Sequence, residues 1–540
     1  MFHHNNKLLY VFGSLVAGFS IMTVELVSTR IVAPIIGNSI YTWTSVIGVT
    51  LLGLSIGSFV GGKIADRETS KPILAWTLFV SAVFIFFIPI LIRSSGFILD
   101  SSNSILWLNL LLAGYLFLLP AVSIGMIQPI ILKKYVNNFS LIGSTYGLLS
   151  SAWSVGSIFG VFLTGFFFIS SIGSVWTLWT ISFILFFMSV VFYLTTVNQR
   201  TDKKVFPDKS LLSCFFLFVL LSLLFGATNG EDRDVTSKYN TQTIFKVETN
   251  YYNLKVVDAS LPGFGDSRLL QLDLDTHSIT STETNENFYP EIYPVFSYLK
   301  KDIKNTLIIG AGAYTLPKYL KNYYQNSDVE VFEMDPELVN VGEKYFNLDS
   351  TEVKTVIGDA RLLFNKEKVE GTYDLIFGDA YNSFISVPWY LLTIEWNEGV
   401  KERLTPNGIY AINFISGVGE ENSLFARSVL ATFKKTFPNY YVFVFGNNPN
   451  EANNIVLVGV NGSLPLNEEE FKRKISLGTN AFLAKKLLLS KTGSLFNQSG
   501  APATILTDNF APTESLLTPV IKDYFPKNRD FVRQLGLGPF

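Results

Sequence analysis

The chain has 540 residues, of which 48% are hydrophobic and 15% aromatic, and its formal net charge is −2. This length predicts more than one domain, the hydrophobic content is high for a soluble protein, and the charge gives no electrostatic reason to expect nucleic acid as a partner. Cys214 is the single cysteine, which excludes an internal disulfide and a cysteine-based zinc site. The three histidines are His3, His4 and His277, and no ligand motif surrounds His277, so we expect no metal site.

Residues 1–226 are predicted to form a membrane domain of about seven helices. A membrane-spanning helix needs about 20 mostly apolar residues, and the last candidate is the shortest. The candidates are 8–29, 40–62, 72–92, 105–132, 144–169, 174–196 and 210–226. Small residues are dense in the second and the fifth, which allows helices to approach closely in lipid. We therefore expect a multi-pass protein of the cell membrane, in contact with the lipid bilayer.

The distribution of positive charge conflicts with seven spans. Lys and Arg concentrate in the loops at 63–71, 133–134 and 200–209, and short loops of this kind are normally cytoplasmic. The N-terminus would then be inside, and seven spans would place residues 227–540 outside the cell. Three explanations remain open: segment 210–226 does not cross the membrane, the count of spans is wrong, or the C-terminal domain is external. The side of that domain is therefore unresolved.

After the membrane domain, the composition turns polar. Apolar and polar residues alternate with period two over about 240–282, which predicts hairpin strands in a small β subdomain, 227–300. From 301 onward, strands alternate with helices, which predicts a parallel sheet in a Rossmann-like α/β domain, 301–540. The predicted strands are 305–310, 329–334, 354–358, 373–378 and 407–414, and the predicted helices are 316–324, 336–346 and 394–403.

The ends of the first two α/β strands carry residues typical of a nucleoside site. Gly310 and Gly312 close the first strand and allow a ligand to approach the backbone. The second strand ends in Glu333 and Asp335, about 20 positions later, where an acid can accept hydrogen bonds from both ribose hydroxyls. Pro336 suits the first turn of the following helix.

The next two strands also end in acids. Asp359 and Ala360 follow the third strand, and Asp379 follows the fourth. Ligands of doubly wound sheets bind at the carboxyl ends of the strands, so four such ends in succession predict a nucleoside-cofactor site. Thr315 stands where a dinucleotide fingerprint has its third glycine, which makes NAD a poor fit and favours an adenosyl cofactor.

Over nearly its whole length, the sequence resembles the membrane-fused spermidine-synthase-like proteins of bacteria, which are polyamine aminopropyltransferases. The segment 61–72 is also similar to a loop of major-facilitator transporters. In the membrane domain the resemblance rests on VELVSTRIVAPIIG, FLLPAVSIGMIQPIIL and GSTYGLL. In the rest of the chain it rests on FYPEIY, LIIGAGAYTLPKYL, FEMDPELV, IGDARLLF, DAYNSFISVPWYLLTIEW, LTPNGIYAINF and LTDNFAPTE.

The resemblance implies a transferase of polyamine biosynthesis that uses decarboxylated S-adenosylmethionine or S-adenosylmethionine as co-substrate and needs no metal. It implies that Glu333 binds the ribose, that Asp359 and Ala360 hold the adenine amino edge, and that Asp379 is the catalytic base. Gly310, Gly312 and Asp335 would complete the cofactor site. Tyr289, Tyr381 and Asn382 would contact a small amine substrate. A homo-oligomer is compatible with the sequence.

The sequence departs from the family at both amine pockets. Ala313 replaces an aspartate in the glycine turn, and Asn382 replaces a second aspartate near Asp379. Pro290 stands where the family often has a polar contact to the cofactor. Three functions therefore remain open: transfer of an aminopropyl group to an acceptor such as putrescine, methyl transfer from S-adenosylmethionine to another acceptor, or a non-catalytic membrane protein with a decayed nucleoside site.

Overall fold

The computed structural model forms two compact units, which divide between Val235 and Thr236. The residues that the structure describes are 2–67, 72–99, 105–136, 141–198, 238–262, 264–273, 275–282, 292–366, 372–380, 387–419, 422–445, 451–463, 467–477, 487–488 and 502–535.

The described part of the first unit is helical. Its α-helices are α1 (Phe2–Ile36), α2 (Ile40–Arg67), α3 (Ile73–Leu91), α4 (Gly96–Leu99), α5 (Ile105–Gly125), α6 (Ile127–Tyr135), α7 (Ile142–Leu163) and α8 (Ile169–Asn198). Five helical stretches of the described chain are long and apolar enough to cross a membrane, and the last of them, Ile142–Thr196, has 55 residues. This last stretch kinks at Gly173, which has a φ of 76°, and so contains both the fifth and the sixth predicted spans. The seventh prediction, 210–226, lies outside the described residues.

Two helix pairs of the first unit approach each other through small residues. A Cβ on Gly156 of α7 would lie 1.9 Å from the carbonyl oxygen of Leu15 in α1, and a Cβ on Gly57 of α2 would lie 2.2 Å from that of Val122 in α5. Neither distance leaves room for a Cβ atom, so glycine is required at both helix–helix contacts. The small residues of the second and fifth predicted spans therefore serve close helix packing, as expected.

The second unit begins with the predicted β subdomain. It is an antiparallel sheet in the order β1-β2-β3-β4, made of β1 (Gln242–Glu248), β2 (Asn253–Leu261), β3 (Gly265–Leu272) and β4 (Asp275–Ser281). Leu254 and Leu270 of this sheet pack with Leu338 and Val341 of the α/β domain in one apolar cluster. The small sheet is therefore held against a helix that starts at the carboxyl ends of the parallel strands of the larger sheet.

The larger sheet has eight described strands in the order β12-β10-β11-β9-β8-β5-β6-β7. The strands are β5 (Asn305–Ile309), β6 (Asp328–Glu333), β7 (Val353–Ile357), β8 (Tyr373–Gly378), β9 (Leu404–Ser416), β10 (Tyr440–Phe445), β11 (Asn453–Val460) and β12 (Leu487–Leu488). Strands β5 to β9 pair in parallel, and β10 to β12 are antiparallel to their neighbours. All five predicted strands are confirmed.

The helices of the second unit flank this sheet. They are α9 (Pro294–Leu299), α10 (Thr315–Tyr323), α11 (Pro336–Tyr345), α12 (Ala360–Lys366), α13 (Ile394–Arg403), α14 (Leu424–Thr436), α15 (Glu468–Leu477) and α16 (Thr513–Gln534). The three predicted helices correspond to α10, α11 and α13. The sequence signal for α16 is weak because Pro519 and Pro526 lie inside it.

Candidate active site

The site begins where the order of the large sheet reverses, between β5 and β8. The amide of Asp379 donates to the carbonyl of Ile309 over 2.9 Å, and the amide of Gly310 donates to that of Phe332 over 2.9 Å. Gly310 has a φ of +90°, and a Cβ there would lie 2.6 Å from the carbonyl oxygen of Asp379. Glycine is therefore needed for the backbone conformation and for the approach of the two strand ends. Crevices at such switch points are where doubly wound sheets bind ligands.

The glycine turn continues through Gly312 into α10. Gly312 has a φ of +52° and lines the cavity at this edge. The amide of Ala313 donates to Oγ of Ser278 in β4 over 3.2 Å, so the small sheet supports the turn. Tyr314 is buried, and its hydroxyl lies 3.1 Å from Oγ1 of Thr355. The tyrosine ring thus belongs to the core and adds no bulk to the site.

Glu333 ends β6 inside the same cavity, where it is 6% exposed. Its Oε2 accepts a hydrogen bond from the amide of Ala311 over 2.8 Å, and its Oε1 accepts from the amides of Met334 and Asp335 over 2.7 and 2.9 Å. Burial raises the pKa of Glu333, although the three backbone donors oppose that shift. Oε2 keeps capacity for a ligand hydroxyl, since a carboxylate oxygen accepts about two hydrogen bonds.

Asp335 has a different role from its neighbour. Its Oδ1 caps α11 by accepting from the amide of Glu337 over 3.0 Å, and its Oδ2 accepts from Oγ1 of Thr249 over 2.5 Å. Asp335 is 1% exposed and does not line the cavity. The structure therefore gives this acid a place at the helix start and a tie to the small sheet, where the sequence had grouped it with the cofactor-binding residues.

The third strand end presents Gly358 and Ala360 to the cavity. Asp359, between them, turns toward the start of α12. Its Oδ1 accepts from the amide of Leu362 over 3.1 Å, and its Oδ2 accepts from the hydroxyl of Tyr390 over 2.9 Å. The acid thus positions Tyr390, which lines the cavity, while Asp359 itself lies one residue from the lining backbone.

Asp379 lines the cavity at the end of β8. Its Oδ1 accepts a hydrogen bond from Nδ2 of Asn413 in β9 over 2.8 Å. Burial raises the pKa of Asp379 to about 6, and the bond from Asn413 opposes the shift. The three predicted substrate contacts, Tyr289, Tyr381 and Asn382, lie outside the described residues.

These residues surround a cavity of about 400 Å³, within the range of small-molecule sites. Three acids line it, Asp275, Glu333 and Asp379, and no lysine or arginine does so among the described residues. Seven aromatic residues also contribute: Tyr252, Phe264, Tyr293, Phe332, Phe377, Tyr390 and Tyr524. The cavity is therefore anionic and rich in aromatic surface.

Several residues of the cavity lining were not predicted from the sequence. Asn413 stands at the carboxyl end of the fifth predicted strand, so the rule that found the four other strand ends could have found it. Asp275, His277 and Tyr524 also line the cavity. They come from β4 and α16, and sequence spacing does not indicate that these elements meet the large sheet at the carboxyl ends of its parallel strands.

No protein-family model matches the chain. The polyamine aminopropyltransferase of Vibrio vulnificus (strain CMCP6) is 28% identical over 215 residues, which cover 39% of this chain and 69% of the relative. Polyamine aminopropyltransferase 2 of Aquifex aeolicus (strain VF5) is 23% identical over 429 residues, 78% of this chain and 80% of the relative. That match is longer than the second unit and so includes part of the first.

A solved structure of a probable spermidine synthase from Corynebacterium glutamicum ATCC 13032 is 19% identical, with a TM-score of 0.35 over 46% of this chain and 94% of that chain. The two sequence relatives are transferases by name, and this similarity supports the prediction that the chain is an enzyme.

Among the described residues, no group of three or more His, Cys, Asp or Glu side chains is arranged to hold a metal ion.

Proposed function

We propose that the second unit is an aminopropyltransferase, which moves an aminopropyl group from decarboxylated S-adenosylmethionine to a polyamine acceptor such as putrescine. The nitrogen of the acceptor bonds to the aminopropyl carbon next to the sulfonium. The carbon–sulfur bond breaks, and its electron pair stays on the sulfur of methylthioadenosine. The attacking nitrogen passes its proton to Asp379.

One observation carries this proposal: Asp379 is a carboxylate at the switch point of the sheet, open to the cavity and held by Asn413. A general base works best when its pKa is close to the operating pH. Burial raises the pKa of Asp379 to about 6, which makes it a stronger base than an exposed aspartate while leaving it mostly ionised at pH 7. A sulfonium already contains its leaving group, so positioning and proton removal are the main tasks left to the protein.

The charge of the cavity supports a cationic donor. Decarboxylated S-adenosylmethionine carries a sulfonium and an ammonium group but no carboxylate. The described lining has three acids and no lysine or arginine, and aromatic faces add cation–π attraction. For the nucleoside part we propose that Glu333 accepts the ribose hydroxyls, that Gly310 and Gly312 allow close approach, and that Ala360 faces the adenine edge.

A second function is favoured by one feature of the glycine turn. Ala313 carries no charge and is buried, so the turn does not repel the carboxylate of S-adenosylmethionine. Methyl transfer to a non-polyamine acceptor is therefore the alternative. The two functions differ in donor and in the mass added to the acceptor.

We further propose that the first unit holds the enzyme in the membrane through six crossings. The stretches in the structure include Ile142–Thr196, which is long enough to cross twice. After the second, fourth and sixth crossings the chain reaches the basic loops at 63–71, 133–134 and 200–209. Short basic loops face the cytoplasm, so this arrangement places the second unit on the side where nucleoside substrates are made.

Product identification by mass spectrometry tests the proposal. The full-length chain in detergent is incubated with putrescine and either decarboxylated S-adenosylmethionine or S-adenosylmethionine. We expect methylthioadenosine and an aminopropylated amine with the first donor only. Asp379→Asn should abolish transfer but keep methylthioadenosine binding, whereas the control Asp266→Asn, an exposed acid of β3, should change neither. A methylated product would favour the alternative, and no product together with no methylthioadenosine binding would indicate a decayed site.

A further inference from the structure

The third acid of the cavity lining comes from the small sheet. Asp275 begins β4, is 8% exposed and lines the same cavity as Asp379. Its Oδ1 accepts a hydrogen bond from Nδ2 of Asn528 in α16 over 3.0 Å. Tyr524, one helical turn before Asn528, lines the cavity too, and burial raises the pKa of its hydroxyl, with a smaller contribution from the charge of Asp275. Two elements outside the large sheet thus fix the carboxylate in place.

His277 lies two residues further along β4, where the register with β3 shifts between the pairs Gln271–Thr276 and Leu270–Ser278. It lines the cavity, and its Nε2 is buried without a hydrogen-bond partner among the residues that the structure describes. The ring of Tyr252 lies 6.4 Å away, centroid to centroid. Burial lowers the pKa of His277 to about 4, so the imidazole is neutral at pH 7. A buried polar atom without a partner is costly, and a ligand in the cavity would supply the missing hydrogen bond.

The other two acids of the cavity already have roles in the proposed function. Glu333 accepts three backbone hydrogen bonds beside the glycine turn, and Asp379 stands at the switch point, where the proposed function assigns it to the reacting amine. The glycine turn itself contributes the uncharged Ala313. Asp275 is the third acid of the described lining and can balance a positive charge in the cavity, and the buried imidazole nitrogen of His277 can accept a hydrogen bond from an ammonium group.

We propose that Asp275 and His277 form a binding site for a primary ammonium group that does not react. The proposal rests on the proposed function, because both substrates of aminopropyl transfer carry such a group. In the donor this ammonium group is the amino end of the aminopropyl chain, and in a diamine acceptor it is the amino group that does not react. The same site disfavours S-adenosylmethionine, whose carboxylate would meet a buried negative charge.

Calorimetry on the full-length chain in detergent separates the donor arm from the nucleoside site. Methylthioadenosine lacks the ammonium group, and decarboxylated S-adenosylmethionine contains it. We expect Asp275→Asn to weaken binding of the donor by about 10- to 100-fold relative to methylthioadenosine, while Oδ1 of the new asparagine can still accept from Asn528. The ratio of the two affinities is measured on the folded fraction alone, so a partial loss of folding does not affect it. If the acceptor occupies the site, the ratio stays constant and the KM for putrescine rises by a similar factor.

Two further variants sharpen the test. His277→Leu removes the buried nitrogen. It should weaken binding of the same substrate that Asp275→Asn affects, by about 3- to 10-fold. The control Asp266→Asn makes the same exchange in the small sheet outside the cavity lining and should change neither affinity nor KM. If Asp275→Asn alters neither the affinity ratio nor the KM for putrescine, or weakens methylthioadenosine as much as the donor, the inference is wrong although the proposed function stands. A wild-type chain that does not bind methylthioadenosine contradicts the proposed function itself.

Discussion

Nδ2 of Asn413 donates a hydrogen bond to Oδ1 of Asp379 over 2.8 Å, and the two residues come from adjacent parallel strands, β9 and β8. The bond stabilises the ionised carboxylate, whereas burial favours its neutral form, and burial has the larger effect on the pKa. Asp379 therefore combines two properties that a proton acceptor needs: a fixed direction and a pKa that is raised toward neutrality.

The pH dependence of the reaction should report this balance. Only ionised Asp379 can accept a proton, and burial raises its pKa to about 6. We expect kcat/KM to fall as the pH is lowered through about 6, approaching a tenfold loss per pH unit. Asn413→Ala removes the donor that stabilises the ionised form, so it should move this decline to higher pH. A profile of kcat/KM between pH 5 and 9 measures both effects.

Asn454→Ala is the matched control for that experiment. Asn454 is another amide that lines the cavity, on β11, and the hydrogen bond to Asp379 comes from Asn413. We expect the acid limb of this variant to coincide with the wild type. Equal displacement in both variants would contradict a specific effect of Asn413 on Asp379.

The same carboxylate should lower the stability of the protein. The pKa of Asp379 is about 6 in the folded chain, against an ordinary value of 3.8. Folding therefore disfavours the charged form, and the cost is absent below pH 3.8, grows between these two values and is complete above pH 6. Asp379→Asn should increase the free energy of unfolding at pH 8 by up to about 3 kcal/mol and so raise the melting temperature. The effect should be smaller at pH 5. Thermal unfolding of the full chain in detergent at both pH values tests this.

Asp374, on the same strand, should behave in the opposite way. Burial opposes its ionisation, but hydrogen bonds from Nζ of Lys300 over 2.6 Å and from the amide of Lys304 over 2.9 Å leave its pKa below the ordinary value. Its stabilising contribution is present above pH 3.8 and is lost as the pH falls through the lowered pKa. Asp374→Asn should therefore lower the melting temperature at pH 8. If Asp374→Asn and Asp379→Asn changed the melting temperature at pH 8 in the same direction, the directions assigned to the two pKa shifts would be wrong.

The two acids that close β6 should separate ligand binding from folding. Oε2 of Glu333 faces the cavity beside the amide of Ala311, so Glu333→Gln should weaken methylthioadenosine binding by about 1.5–3 kcal/mol. Asp335 caps α11, so Asp335→Ala should leave this affinity within about twofold while lowering stability by about 0.5–2 kcal/mol. Calorimetry and thermal unfolding of both variants measure the difference. A loss of affinity in Asp335→Ala at unchanged stability would mean that Asp335 contacts the ligand.

This pair also shows where the sequence stops being informative. Spacing from the glycine turn placed Glu333 and Asp335 at one strand end, but it could not decide which acid faces the cavity. The last residue of β6 turns inward, and two residues later the chain has already started α11, so the second acid is used by the helix. Tyr314 is a similar case, because its left-handed backbone, with a φ of +58°, directs the ring into the core.

Four of the five parallel strands and their carboxyl ends were predictable, because each of the four is a short run that ends in glycine or an acid. Asp275, His277 and Tyr524 were not, because they reach the cavity through packing between separate elements. Asp275 lies on a hairpin, and its partner Asn528 is more than 250 positions away. Contacts of this kind depend on how the small sheet and α16 rest on the large sheet, and the local sequence does not encode that arrangement.

The last prediction concerns the side of the membrane on which the second unit lies. The proposed six crossings use the five long apolar stretches, with Ile142–Thr196 crossing twice because it is 55 residues long and kinks at Gly173. With an even number of crossings the chain would return to the side of its N-terminus, which we predict from the basic loops to be the cytoplasm. A reporter that is active only in the cytoplasm, fused after residue 540, should therefore be active. Fusions after residues 67 and 99, which follow the second and third crossings, calibrate the assay as active and inactive. An inactive fusion at 540 beside these two calibrants would mean that segment 210–226 crosses the membrane, and it would separate the proposed transferase from cytoplasmic S-adenosylmethionine.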